Sequence, residues 1–99
     1  MIQIVWEFHA KPDRIEEFEQ AYSSTGAWSA LFARAPGYRG TTLARDPQQP
    51  TRYLVTDAWD DLASFHRFKR DFAEQYAALD QDCEALTERE LYLGTFELI

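Results

Sequence analysis

The strongest constraint on how this chain folds is an abrupt change of hydrophobic period at residues 59–62. Tyr53-Leu54-Val55-Thr56-Asp57-Ala58-Trp59 is rich in β-branched and aromatic residues and reads as a strand. Asp60-Asp61-Leu62 then reads as a helix start. Leu62, Phe65, Phe68 or Lys69, Phe72, Tyr76, Leu79, Cys83 and Leu86 follow at gaps of three and four. That spacing predicts one buried helical face about seven turns long. A strand that feeds straight into such a helix must belong to a sheet the helix covers. Strand side chains alternate, so Asp57 shares a side with Tyr53 and Trp59. A Trp at a strand end, roofed by the next helix, walls a small pocket, and Asp57 points to the same side.

The rest of the chain repeats this unit. Residues 2–9 alternate and form strand one. Ala10-Lys11-Pro12 ends it. Asp13, with Glu16 three residues later, has the form of a capping box, and Ile15, Phe18 and Tyr22 follow at helical spacing. Ser23-Ser24-Thr25-Gly26 interrupts the helix. Trp28, Leu31, Phe32 and Ala35 resume a helical stripe that Pro36-Gly37 stops. Residues 38–45 read as strand two, 46–50 as a turn, 51–59 as strand three and 90–98 as strand four. The order β-α-β-β-α-β is the ferredoxin-like split arrangement: an α+β fold with both helical layers on one face of an antiparallel four-stranded sheet.

Length and charge narrow the function. At 99 residues the chain is one domain, spanning 1–99. Ten Lys and Arg stand against 17 Asp and Glu, a formal charge of −7. That balance argues against nucleic acid and against an anionic membrane surface, which need a basic footprint. Cys83 is the single cysteine, on the predicted apolar face, and reads as a core residue. There is no signal-peptide pattern and no membrane-length apolar run, so a cytoplasmic protein is expected. His9 and His66 are too far apart in sequence to suggest a metal pair, and no phosphate loop or dinucleotide fingerprint is present.

With helices on one face, the other face of the sheet should be polar in a monomer. It is not. Ile4, Trp6 and Phe8 oppose Val5 in strand one. Tyr53, Val55 and Trp59 oppose Leu54 and Ala58 in strand three. Leu91 and Leu93 oppose Tyr92, Phe96 and Leu98 in strand four. Apolar groups on both faces predict a homodimer in which two sheets pack together.

Several stretches carry a family resemblance. Strand one runs into a Lys11-Pro12 turn and a helix bearing Phe18. Strand three closes with Thr56-Asp57-Ala58-Trp59, and strand four with Leu93-Gly94-Thr95-Phe96. Trp28-x-x-Leu31-Phe32 precedes Pro36-Gly37-Tyr38, and Tyr76-x-x-Leu79-Asp80 precedes Leu86-Thr87-x-x-Glu90. Over essentially its whole length the chain resembles the antibiotic-biosynthesis-monooxygenase-like group of dimeric α+β barrels. The resemblance implies a homodimer and a choice of chemistries: cofactor-independent oxygenation of phenols and quinones, haem degradation, or small-molecule isomerisation. The haem-degrading branch uses an Asn on strand one, a Trp closing strand three and a His on the next helix. Trp59 matches. Lys69 stands where the His belongs, His66 is three residues early, and the chain contains no Asn. Haem chemistry is therefore not expected.

Cofactor-free oxygenation asks for an apolar cavity, a base for a phenolic or enolic proton, and exclusion of water. No cofactor is expected. Trp59, Trp28, Tyr22, Phe32, Phe65 and Phe72 are candidate cavity walls, or simply core. Asp57 is the first candidate base. Asp is disfavoured in mid-strand, and a buried one needs a partner such as Arg39, Tyr22 or Tyr53. The competing role is a structural hydrogen bond or an ion pair across the dimer. His9, beside Lys11, is either a base at the pocket mouth or a surface residue. His66, one position off the buried stripe, either tips beneath Trp59 or lies on a solvated flank. Glu7 is expected to pair with a basic residue across the sheet interface. Three functions fit these residues: a cofactor-free monooxygenase for a small aromatic or quinol-like compound, a dimeric module that binds a small ligand without catalysis, and an isomerase or decarboxylase using Asp57 or His9.

Overall fold

The computed structural model describes all of residues 1–99. Alternating side chains build β1 (Ile2–Ala10) and β3 (Arg52–Trp59), which pair antiparallel at the centre of the sheet. β2 (Tyr38–Arg45) flanks β3 through the expected hairpin, and β4 (Thr87–Glu97) flanks β1. The sheet order is β2-β3-β1-β4, all antiparallel. α1 (Ile15–Tyr22) and α2 (Ala27–Phe32) join β1 to β2, while α3 (Leu62–Asp71), α4 (Ala73–Cys83) and a 3₁₀ turn at Glu84–Leu86 join β3 to β4. This is the expected α+β, ferredoxin-like arrangement.

Strand register divides the side chains between two faces. Ile4, Asp57 and Thr41 stand in one row and face the helices, as do Phe8, Tyr53 and Val55. Trp59, Tyr53, Phe18 and Phe68 are the largest side chains with almost no exposure. Burying each aromatic contributes about 1.5–3 kcal/mol, and the edge and offset contacts among them add to that. Phe18 lies 4.7 Å from Tyr53, and Trp59 lies 5.5 Å from both Phe65 and Phe68 (centroid distances).

The strand-to-helix junction is built as its sequence implies. Asp61 caps α3, accepting from Ser64 N at 2.8 Å and Ser64 Oγ at 2.7 Å. Asp60 N donates to Gly37 O at 2.8 Å, tying the junction to the turn before β2. Gly37 has φ +95°, and a Cβ there would lie 2.6 Å from Ser64 Cβ, so only glycine fits.

Four local expectations are corrected. The seven-turn helix is two helices. Phe72, at φ −118° and ψ 30°, bends the chain while Phe68 and Phe72 stay stacked at 5.5 Å. The bend brings α4 against α2, with Tyr76 edge-on to Trp28 at 5.2 Å. Asp13 does not cap α1. The cap position is Arg14, whose side chain forks onto Glu17 at 2.7 and 2.9 Å. β4 starts three residues early, because Thr87 already pairs with Ala10. β4 also bulges between Tyr92 and Gly94, and the extra residue reverses the alternation. Tyr92 therefore sits opposite Trp6 on the helix side, while Phe96 sits opposite Gln3 on the outer face. Gly94 accommodates the bulge at φ +147°.

The outer face bears Val5, Leu54, Ala58, Leu91 and Phe96, with Leu54 and Phe96 exposed. Beside this apolar patch, Arg52 makes a two-pronged bond to Glu7, Nε to Oε2 at 3.0 Å and Nη2 to Oε1 at 3.1 Å. Its Nη1 donates to Asp46 at 2.9 Å, and His9 Nε2 lies 2.7 Å from Glu7 Oε2. Glu7 thus finds its basic partner within the same chain. The guanidinium and His9 hold its carboxyl down at about 2. No helix is long and apolar enough to cross a membrane.

Candidate functional site

Alternation along β3 turns Asp57 inward, and pairing with β2 sets Thr41 beside it. Thr41 Oγ1 donates to Asp57 Oδ1 at 2.6 Å. Tyr38 OH lies 2.5 Å from Thr41 Oγ1. A hydroxyl has one proton, so Thr41 donating to Asp57 must accept from Tyr38. The three groups form one directed chain, Tyr38 to Thr41 to Asp57. Asp57 is only 9% exposed and takes part in none of the ion pairs. Burial pushes its pKa up to about 6, and the Thr41 hydrogen bond offsets only part of that.

Asp57 forms part of the wall of a cavity of about 70 Å³ between the sheet and the helices. Its aromatic walls are Trp6 and Phe8 from β1, Tyr22 from α1, Trp28 and Phe32 from α2, and Tyr76 from α4. Thr41, Val55, Asp80 and Glu90 complete it. A neighbouring vestibule of about 210 Å³ shares Tyr22, Asp80 and Glu90 with the cavity. Water needs roughly 10–15 Å³ of such space per molecule, so the inner cavity holds several waters. A ring-sized guest must use the vestibule as well.

Four of the residues singled out from sequence converge here: Asp57, Trp28, Tyr22 and Phe32. The others lie elsewhere. Trp59 is fully buried among Phe32, Tyr38, Phe65 and Phe68, and does not reach the cavity. Phe65 is half-buried against it. His66 is exposed on α3, so the solvated flank is its place. His9 lies on the outer face in the Glu7 network, across the sheet from Asp57. Arg39 is exposed and bonded to Asp60 at 2.5 Å, so Thr41 and not Arg39 partners Asp57. Phe72 packs on Phe68, with Arg34 5.1 Å from its ring centre.

Sequence reasoning missed Thr41, Trp6, Tyr76, Asp80 and Glu90. Trp6 and Tyr76 had a signal: the first alternates in step with Phe8, and the second belongs to the buried stripe. Thr41 becomes Asp57's neighbour only through strand register. Asp80 and Glu90 come from α4 and β4 and meet only through the tertiary fold.

The chemistry open to this arrangement follows from Asp57. A carboxyl poised near pH 6, buried beside aromatic walls, suits proton abstraction at neutral pH. No cluster of three or more His, Cys, Asp or Glu has the geometry for a metal ion.

The fold has close structural relatives. A mutant of SnoaB, a cofactor-independent oxygenase from Streptomyces nogalater, is 26% identical with a TM-score of 0.75, over 98% of this chain and 91% of that one. A Bordetella bronchiseptica protein thought to be an antibiotic biosynthesis monooxygenase is 24% identical, TM-score 0.71, over 99% and 96%. A Deinococcus radiodurans protein given the same assignment is 16% identical, TM-score 0.77, over 100% and 93%. No curated protein matches the chain significantly. The profile of the antibiotic biosynthesis monooxygenase family matches residues 1–79, most of the chain and all of the strand-to-helix junction that first defined its fold, so the protein belongs to that family.

Proposed function

We propose that the protein is a cofactor-independent monooxygenase acting on a small phenolic or quinol-like compound in the cavity between sheet and helices. The observation that carries this reading is Asp57: a buried carboxylate with only a hydroxyl partner, in an aromatic cleft, with its pKa raised to about 6. Family membership and the resemblance to SnoaB support the same chemistry.

In this reaction Asp57 removes the phenolic proton, and the phenolate supplies electrons to dioxygen. One oxygen atom bonds to ring carbon and the other leaves as water, so a phenol and O₂ give a quinone and H₂O. The four electrons that reduce O₂ all come from the substrate. The Tyr38–Thr41 chain keeps Asp57 oriented, and Trp6, Phe8, Trp28 and Phe32 exclude bulk water from the anion. The size of the cavity favours one ring over a polycyclic substrate.

The working unit is a homodimer joined through the outer sheet face. The exposed Leu54 and Phe96, with Val5, Ala58 and Leu91 beside them, support that assembly. The test is oxygen uptake with single-ring phenols and hydroquinones, corrected for spontaneous oxidation. The wild type should consume oxygen, and Asp57→Asn should not, while keeping its circular dichroism spectrum. Saturable binding without oxygen uptake would instead identify a non-catalytic ligand-binding module.

A further inference from the structure

The cavity and its vestibule have an unbalanced charge. Asp57, Asp80 and Glu90 line the cavity, and no Lys, Arg or His does. The vestibule adds Glu84 and Glu88 against a single cation, Arg89. Elsewhere half of the acids are paired: Glu7, Glu17, Glu19, Asp46, Asp60 and Asp71 each hold an arginine. None of the five carboxylates around this opening has such a partner. Lys69 Nζ sits 5.0 Å from the ring centre of Tyr76. The acids feel one another. Burial, with Asp80 and Glu84 nearby, pushes the Glu90 carboxyl up, and burial with Asp80, Asp57 and Glu90 raises the Tyr76 phenol.

This field opposes the reaction proposed above if the guest is neutral. A phenolate formed at Asp57 would lie among carboxylates with no cation in the cavity wall, Arg89 standing in the vestibule and Lys69 against the Tyr76 ring. Asp57 itself is nine-tenths buried, with one hydroxyl donor and no counter-charge. The missing positive charge must come with the guest. The walls favour this too, because the faces of Trp6, Trp28 and Tyr22 attract cations.

Resting on that functional reading, we propose that the site takes a phenol carrying a protonated amine, with its ring between the aromatic walls, its hydroxyl at Asp57 and its ammonium at Asp80 and Glu90. The ligand's own cation then screens the phenolate, and the acidic vestibule draws the cation in.

Three probes of one shape and different charge test this by isothermal titration calorimetry under anaerobic conditions: tyramine, 4-ethylphenol and 3-(4-hydroxyphenyl)propionate. Tyramine should bind about tenfold more tightly than 4-ethylphenol, the combined yield of an exposed ion pair and a cation–π contact. The propionate should bind weakest. The double variant Asp80→Asn/Glu90→Gln, both at exposed positions, should erase tyramine's advantage, as should raised salt. Equal or tighter binding of 4-ethylphenol, an advantage that survives the double variant, or no binding by any probe would overturn the proposal. Oxygen uptake separates the two readings. Turnover of neutral phenols without a charge preference defeats only the amine proposal. A charge preference without any oxygen uptake defeats only the oxygenase reading.

Discussion

Asp57 and Glu7 stand on opposite faces of one sheet, three strand positions apart across the β1–β3 pairing, and the fold treats them in opposite ways. Glu7 has a forked arginine and a histidine, which hold its pKa down at about 2. Asp57 has a single threonine hydroxyl, and burial raises it to about 6. Both carboxylates are mid-strand, where the residue type is disfavoured. The lesson is that burial alone does not set how tightly a carboxylate holds its proton. The partner does. Glu7 is satisfied by charge, whereas Asp57 is left able to exchange a proton.

The largest effect that can break this contrast is catalytic. Asp57→Asn should lower oxygen uptake about 10²–10⁴-fold, the range of a lost general base, while Glu7→Gln leaves it within a few-fold. Equal losses in the two variants would end the distinction. The wild-type rate should rise as pH increases through about 6, as Asp57 ionises.

Next comes the aromatic beside Asp57. Trp59→Ala should destabilise the fold by about 3–5 kcal/mol, read by chemical denaturation, because it empties a fully buried site. Trp28→Ala, at the cavity wall, should cost less stability and more ligand affinity. This pair separates core from site, and it marks where the sequence was legible. The periodicity break at Trp59 revealed the strand, the helix and the inward side of Asp57, because those follow from local alternation and spacing. It also made Trp59 look like a pocket wall. Its true neighbours, Phe32 and Tyr38, come from α2 and β2 and could be assigned only once the helices were docked. The same holds for Thr41, whose place beside Asp57 is a matter of register, and for Asp80 and Glu90, which converge from distant elements. The bulge in β4 had a local sign in Gly94. The bend at Phe72 had none, since no Gly or Pro marks it and the apolar spacing runs on unbroken.

Stability against pH sharpens the contrast further, because the two acids have opposite signs. Asp57's folded pKa is raised, so its favourable contribution is complete below about 3.8 and is lost as pH rises through about 6. A shift of about two units corresponds to about 3 kcal/mol at most. Asp57→Asn should therefore stabilise the protein by about 1–3 kcal/mol at pH 8 and by little at pH 4, measured by urea unfolding. Glu7's folded pKa is depressed, so its contribution is present above 4.5 and fades as pH falls toward 2. Glu7→Gln should flatten acid unfolding in that lower window only.

The smallest effect concerns assembly. Phe96→Ser on the outer face should weaken self-association, read by sedimentation velocity, and leave ligand binding at Asp57 nearly unchanged. A variant that stays fully dimeric would mean the outer face is not the joint.

The most direct measurement is the titration of Asp57 itself by carbon-13 NMR of its side-chain carboxyl, with Asp57→Asn identifying the resonance. A midpoint near pH 6 in the free protein, moving when a phenol binds, is the result this account predicts. A midpoint at or below about 4, the ordinary carboxylate range, would contradict it and return Asp57 to the structural class of Glu7.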